Sequence, residues 1–300
     1  MPIRIALNPE LFQLALGFNR ILTYTGYVLL AGTFTFWALV WPEGRADRRL
    51  VSLALIGTGL MVVGTIGAPL ILVSFGDRPA GAGLPPIVGT AAIIRLAILV
   101  GIAFFLMDLI RSPITGSRRW VALGIVAVLA ATLVAQSNAV GGSWQIIKIV
   151  VTAGHALAVA AWLGGLLALA AVSLPRNGGP EPERLVPRFS IVAVVSVVTL
   201  VITGPIHALA VAGGTDALVN SRYGLVLLVK VVFFGLMLAI GNYARMYASR
   251  VAFARKHLPA SELGKPGGGS GLAVIIGAEL TIAFVILSTT SILVMVAPQP

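Results

Sequence analysis

The sequence predicts an all-α, polytopic membrane helix bundle, and three observations carry that expectation. Of 300 residues, 58% are hydrophobic and only 10% are charged, a balance far from that of soluble globular domains. The apolar residues come in runs of about 20 or more, the length a helix needs to cross the hydrocarbon of a bilayer. The basic residues sit in short segments between those runs, and no soluble domain fits between any two of them. A single membrane domain over 1–300 is therefore expected.

Eight spans are expected, at 18–41, 50–74, 86–110, 119–140, 146–173, 188–212, 223–244 and 271–296. The segment before the first, MPIRIALNPE, shows no signal-peptide cleavage pattern, so the first helix is expected to remain. In the second, Gly57, Gly59, Gly64, Gly67 and Pro69 make the outer half a candidate for a kink or break. The seventh continues as a basic segment from Arg245 and ends in the flexible GKPGGGSG stretch before the eighth.

Counting Lys and Arg by connection orients the bundle. One side carries Arg45, Arg48, Arg49, Arg111, Arg118, Arg119, Arg176, Arg184, Arg188 and the run from Arg245 to Lys265; the other has little beyond Arg4, Arg78, Lys148 and Arg222. The positive-inside rule makes the first side cytoplasmic and puts both termini outside. The net charge of +11 is then a matter of lipid headgroups and topology, and a nucleic-acid partner is excluded.

A weak internal repeat relates the halves. TYTGYVLLAGTF from Thr23 aligns with VTAGHALAVAAW from Val151, pairing Tyr27 with His155 and Phe34 with Trp162, and the third and seventh spans pair Arg95 with Lys230. The expected architecture is four plus four spans in parallel halves, 1–140 and 146–300.

Function is sought where polar groups interrupt hydrocarbon, since such groups are costly unless they face a partner, a ligand or water. His155 lies in TAGHALAVAAWLGGLLAL, followed by Trp162 and by Gly164 and Gly165. With the ~1.5 Å rise per residue, His155, Arg95, Lys230, His207, Gln136 and Asn138 all fall in the outer half of their spans. That common depth predicts a water-accessible pocket open to the outside. The simpler reading of each residue is local: Arg95 and Lys230 can snorkel, and Gln136 and Asn138 can bond neighbouring backbone. Glu279, the only carboxylate well inside a span, is expected either to pair with Lys230 or to relay protons.

Three segments resemble the copper-resistance protein D (CopD-type) inner-membrane family: GHALAVAAWLGGLLAL; RFSIVAVVSVVTLVITG with SRYGLVLLVKVVFFGLMLAIGNYAR; and Glu279 opening the last helix. The resemblance covers about 145–300. It implies a multi-pass protein of the bacterial cytoplasmic membrane that moves or delivers copper, with a periplasmic copper-binding protein as partner. The matched polar positions are His155, Tyr223, Lys230, Asn242 and Glu279. One departure stands out: where many members close the fourth helix with Gly-His-Ala, this chain reads Ser137, Asn138, Ala139.

The chemistry narrows the ligands. The chain has no Cys, its Met residues form no paired motif, and Cu(I) favours soft donors while imidazole binds either oxidation state. A copper ion would therefore use His155 and His207, helped by Asn138, with Arg95 and Lys230 opposing it unless an anion accompanies the metal. The alternative is a haem b electron-transfer protein with His155 and His207 as axial ligands; a third reading is a membrane partner in cuproprotein assembly. No nucleophile–base set or phosphate-binding Gly loop is present, so no enzymatic activity is expected.

Overall fold

The computed structural model describes residues 9–75, 86–109, 116–134, 145–173, 182–212 and 214–257, with 277, 281–282, 285–286 and 288–290. Every regular element among them is helical. In chain order these are α1 (Pro9–Leu39), a 3₁₀ turn (Pro42–Ala46), α2 (Arg48–Phe75), α3 (Pro86–Leu109), α4 (Ser117–Val134) and α5 (Gln145–Val159). A π-helical turn (Ala160–Gly164) leads into α6 (Gly165–Ser173), and α7 (Pro182–Ala212), α8 (Thr215–Asn220) and α9 (Arg222–His257) complete the order. Seven helical stretches are long and apolar enough to cross a membrane, the fifth formed by α5, the π turn and α6 together. The expected eighth span, 271–296, lies mostly outside the described residues, and with it the side on which the chain ends.

α1 is the hub. Of its membrane-length window 78% is buried, against 6% for that of α9, and it packs on α2, α4, the π turn and α6. Leu30, Ala31, Phe34, Phe36 and Trp37 are its buried face, with Phe34 against Phe105 of α3 at 5.9 Å between ring centroids. The helix is already formed at Pro9, well before the expected start at 18. Glu10 in its first turn complements the positive end of the helix dipole. Leu11, Leu14 and Phe18 stay exposed among polar neighbours, so this turn is amphipathic and a criterion of unbroken apolarity starts too late.

Close approach of backbones holds α1 to its neighbours, as expected where lipid removes the hydrophobic driving force between helices. A Cβ on Gly26 would lie 2.7 Å from Met61 N and 2.8 Å from Gly57 O. On Gly64 it would fall on the Thr23 hydroxyl, and on Gly67 on the Asn19 amide oxygen. Asn19 Nδ2 donates to Gly64 O at 2.9 Å. The glycines of α2 therefore serve packing, and of the expected kink or break the break does not occur: α2 runs as one helix through Pro69 to Phe75.

The connection from α1 to α2 is locally determined. Asp47 caps α2 by accepting from Arg49 N at 2.9 Å, and Trp37 Nε1 donates to Gly44 O at 3.2 Å, satisfying groups a helix end leaves open. On the outside of the bundle Ile93, Phe104, Ile191 and Leu225 are 68–70% exposed. Apolar surface of that extent suits hydrocarbon rather than water.

Candidate functional site

α5 and α7 lie side by side, and each carries a threonine one turn before a histidine: Thr152 and His155 on α5, Thr203 and His207 on α7. Because the two helices are antiparallel neighbours, each histidine meets the other helix's threonine. His155 Nδ1 is 3.1 Å from Thr203 Oγ1, and Thr152 Oγ1 is 2.9 Å from His207 Nδ1. Between these crossed contacts the imidazoles stack, with centroids 5.7 Å apart and planes 24° from parallel.

The hydrogen bonds assign one tautomer. Thr203 donates its hydroxyl proton to Thr199 O at 2.6 Å, so its oxygen can only accept from His155 Nδ1–H. A neutral His155 then carries its proton on Nδ1 and a bare lone pair on Nε2. For His207 the Thr152 hydroxyl can donate or accept, so that ring can present Nε2 as a lone pair as well. The arrangement amounts to two imidazoles oriented by hydroxyls at the nitrogen not required for a metal.

Below this pair the π turn aims the rest of the motif. The extra residue in each turn of a π-helix rotates the residues beyond it, and Trp162 meets Phe234 of α9 edge to face at 5.5 Å and 83°. Gly164 sits where a Cβ would fall on Val28 O of α1, and Gly165 where it would lie 2.7 Å from the Phe189 ring of α7. Trp162, Gly164 and Gly165 thus dock the histidine-bearing helix against α9, α1 and α7. Lys230 lies one turn from Phe234 on the same face of α9, towards the end of that helix where the histidines lie, and its charge acts on both rings.

Arg95 belongs elsewhere. It is 1% exposed, donates from Nε to Thr132 Oγ1 at 3.0 Å and from Nη2 to Thr132 O at 2.6 Å, and lies within electrostatic reach of Tyr24. Thr132 is in the last turn of α4, where carbonyls lack intrahelical partners and the dipole favours a cation. Of the polar groups expected to share one outward pocket, His155 and His207 meet between α5 and α7, and Arg95 of α3 meets Thr132 of α4.

Other residues named from the sequence sit further along these helices. Tyr223 is buried with Ala212 near the start of α9, two turns before Lys230. Asn242 is exposed, with Nδ2 3.9 Å from Met246 Sδ, three turns beyond Lys230. Gln136, Asn138 and Glu279 lie outside the described residues. Sequence reasoning missed Thr152 and Thr203, whose signal was a threonine one turn ahead of each histidine, and Thr132 and Phe234, which only tertiary contact could find.

Residues 183–293 match the family Copper resistance protein D. This part of the chain, a little over a third of it, is similar to that family. The CopD-type segment takes in His207, Tyr223, Lys230, Asn242 and Glu279, and it begins after His155 and the Trp-Leu-Gly-Gly run, so the two imidazoles come from either side of its boundary. No curated protein and no solved structure matches the chain. The protein thus has the helices of a multi-pass membrane protein and a segment similar to the copper-resistance protein D family.

The paired imidazoles offer two nitrogen donors, and among the described residues no group of three or more His, Cys, Asp or Glu could hold a metal ion. Haem fits less well. Bis-histidine ligation places the macrocycle between the rings, whereas α5 and α7 pack directly and a Cβ on Gly204 of α7 would lie only 3.8 Å from His155 Cε1. A porphyrin would have to part the two helices.

Proposed function

We propose that this chain is a bacterial inner-membrane copper-handling protein that moves copper across the membrane or delivers it at the periplasmic face, with His155 and His207 as its imidazole donors. The crossed His–Thr pairing carries the reading. It fixes two rings against one another on adjacent helices and leaves Nε2 of His155 bare, which hydrogen bonding between helices alone would not require. The CopD-type segment supports copper as the cargo. The excess of Lys and Arg on one side supports an outward-facing position for the pair, within reach of a periplasmic copper-binding partner.

Metal and haem analysis of the purified protein tests this, alongside His155→Ala, His207→Ala and the double variant. Wild type is expected to bind copper without a Soret band. The variants should insert normally, bind less copper and change cellular copper content. Equal copper stoichiometry in wild type and the double variant would remove the histidines from the site, and a Soret band lost with either histidine would establish haem instead.

A further inference from the structure

The pair of imidazoles proposed to hold copper has an unbalanced charge. Its two protein donors are neutral rings, and the charged group that α9 carries towards the same end of the bundle, Lys230, is a cation. Lys230 is placed there by the Trp162–Phe234 contact, which ties α9 to the histidine-bearing helix at 5.5 Å. Lys230 lies one turn and His155 two turns from that contact, towards the same end of the bundle. Two ion pairs, Arg118–Asp108 and Arg184–Glu43, lie at helix ends and at the 3₁₀ turn. Neither supplies Lys230 with a counter-ion.

Copper in either oxidation state would add positive charge near an ammonium, between helices that pack as closely as Gly204 against His155. Like charges in such surroundings destabilise one another. Cu(II) adds the larger charge and prefers a tetragonal nitrogen and oxygen set that two imidazoles do not complete. Cu(I) accepts fewer donors and takes soft ones readily. The chain has no cysteine to offer as an anionic donor.

A small anion resolves both problems, by neutralising the metal as a third ligand and accepting hydrogen bonds from the ammonium. Lysine suits that role because it is a compact point charge with three rotatable donors, requiring no planar, bidentate partner. From the juxtaposition of Lys230 with the stacked His155 and His207, we propose that Cu(I) binds here together with a halide ion, the halide bridging copper and the Lys230 ammonium. The inference rests on the copper reading of the two histidines. It makes the cargo a Cu(I)–halide unit with no net charge, the form least penalised in a membrane interior.

X-ray absorption at the copper edge tests it on the full-length protein, loaded anaerobically with Cu(I) in chloride, in bromide and in halide-free buffer. Wild type is expected to show imidazole scattering throughout, a heavy scatterer in bromide and a lighter one in chloride, and at least tenfold tighter Cu(I) binding with halide than without. Lys230→Met should keep the imidazole scattering and lose both the halide scatterer and the halide dependence, and Lys230→Arg should restore them in part. Imidazole scattering indifferent to the halide would overturn the inference and leave the copper site standing, as would be seen if Glu279 supplied the anion. A halide scatterer that survives Lys230→Met would equally overturn the role of Lys230. Absence of imidazole scattering in wild type would overturn the copper site itself. Should Lys230→Met fail to fold, the three-buffer comparison on wild type decides.

Discussion

His155 Nδ1 donates to Thr203 Oγ1 at 3.1 Å, and Thr203 cannot donate in return, because its proton is committed to Thr199 O at 2.6 Å. The direction of that single hydrogen bond determines which nitrogen of His155 remains available. Removing an orienting partner of this kind from a histidine ligand typically costs about 10–100-fold in metal affinity. Thr203→Val, which keeps the shape and removes the acceptor, is expected to weaken Cu(I) binding by about that factor in a competition titration against a chelator. Thr199→Val should have no effect, since the Thr199 group used is its backbone carbonyl. Unchanged affinity in Thr203→Val would show that packing alone orients the ring.

Two glycines ten residues apart in the same helical run should behave oppositely. A Cβ on Gly164 would fall on the Val28 carbonyl of α1, while one on Gly154 meets nothing within 4 Å. Overpacking costs about 1–3 kcal/mol where neighbours can shift, and here the obstacle is backbone. Gly164→Val is therefore expected to lower the thermal midpoint in detergent and the yield of monodisperse protein. Gly154→Ala should be neutral or slightly stabilising. Similar midpoints for the two would mean that α1 does not rest on the π turn.

Arg95 separates structure from cargo. Arg95→Met leaves the Thr132 carbonyl without its guanidinium partner, a loss of about 1–3 kcal/mol for a buried acceptor, so stability should fall. Copper affinity should not, because the guanidinium that Arg95 extends from α3 is engaged by Thr132 at the end of α4. Arg95→Lys is expected to recover only part of the stability, since one ammonium does not reproduce the paired contacts to Thr132 Oγ1 and O. A loss of copper affinity as large as that in His155→Ala would instead place Arg95 in the copper site.

The Trp162–Phe234 contact is predicted to be an energetic tie between the histidine-bearing helix and α9. A double-mutant cycle with Trp162→Leu and Phe234→Leu should give a coupling of about 0.5–1.5 kcal/mol, the usual value for an edge-to-face pair. Additive effects of the two substitutions would show that Lys230 is positioned by something other than this contact.

Much of the architecture was legible along the chain, because a bilayer imposes a one-dimensional rule: an apolar run of sufficient length must be a helix that satisfies its own backbone. That is why seven of the expected spans appear near their predicted positions. Departures occur where the rule is silent. The amphipathic first turns of α1 are helical although polar residues interrupt them, and the α2 glycines pack against Gly26, Thr23 and Asn19 instead of breaking the helix. Glu279, Gln136 and Asn138 lie outside the described residues.

The candidate site divides along the same line. By itself the sequence determined that His155, His207, Lys230 and Arg95 are polar interruptions of membrane-length helices, and their count along each helix set their approximate depth. Depth is one coordinate, and a helix also has a rotation about its axis and a choice of neighbours. Only the tertiary structure decided those. The antiparallel seating of α5 on α7 crosses each histidine with the other helix's threonine, the π turn rotates Trp162 onto Phe234 and brings Lys230 alongside, and the end of α4 claims Arg95. These placements depend on which backbones can approach at glycine and on which carbonyls need a donor, pairwise properties that no single helix contains.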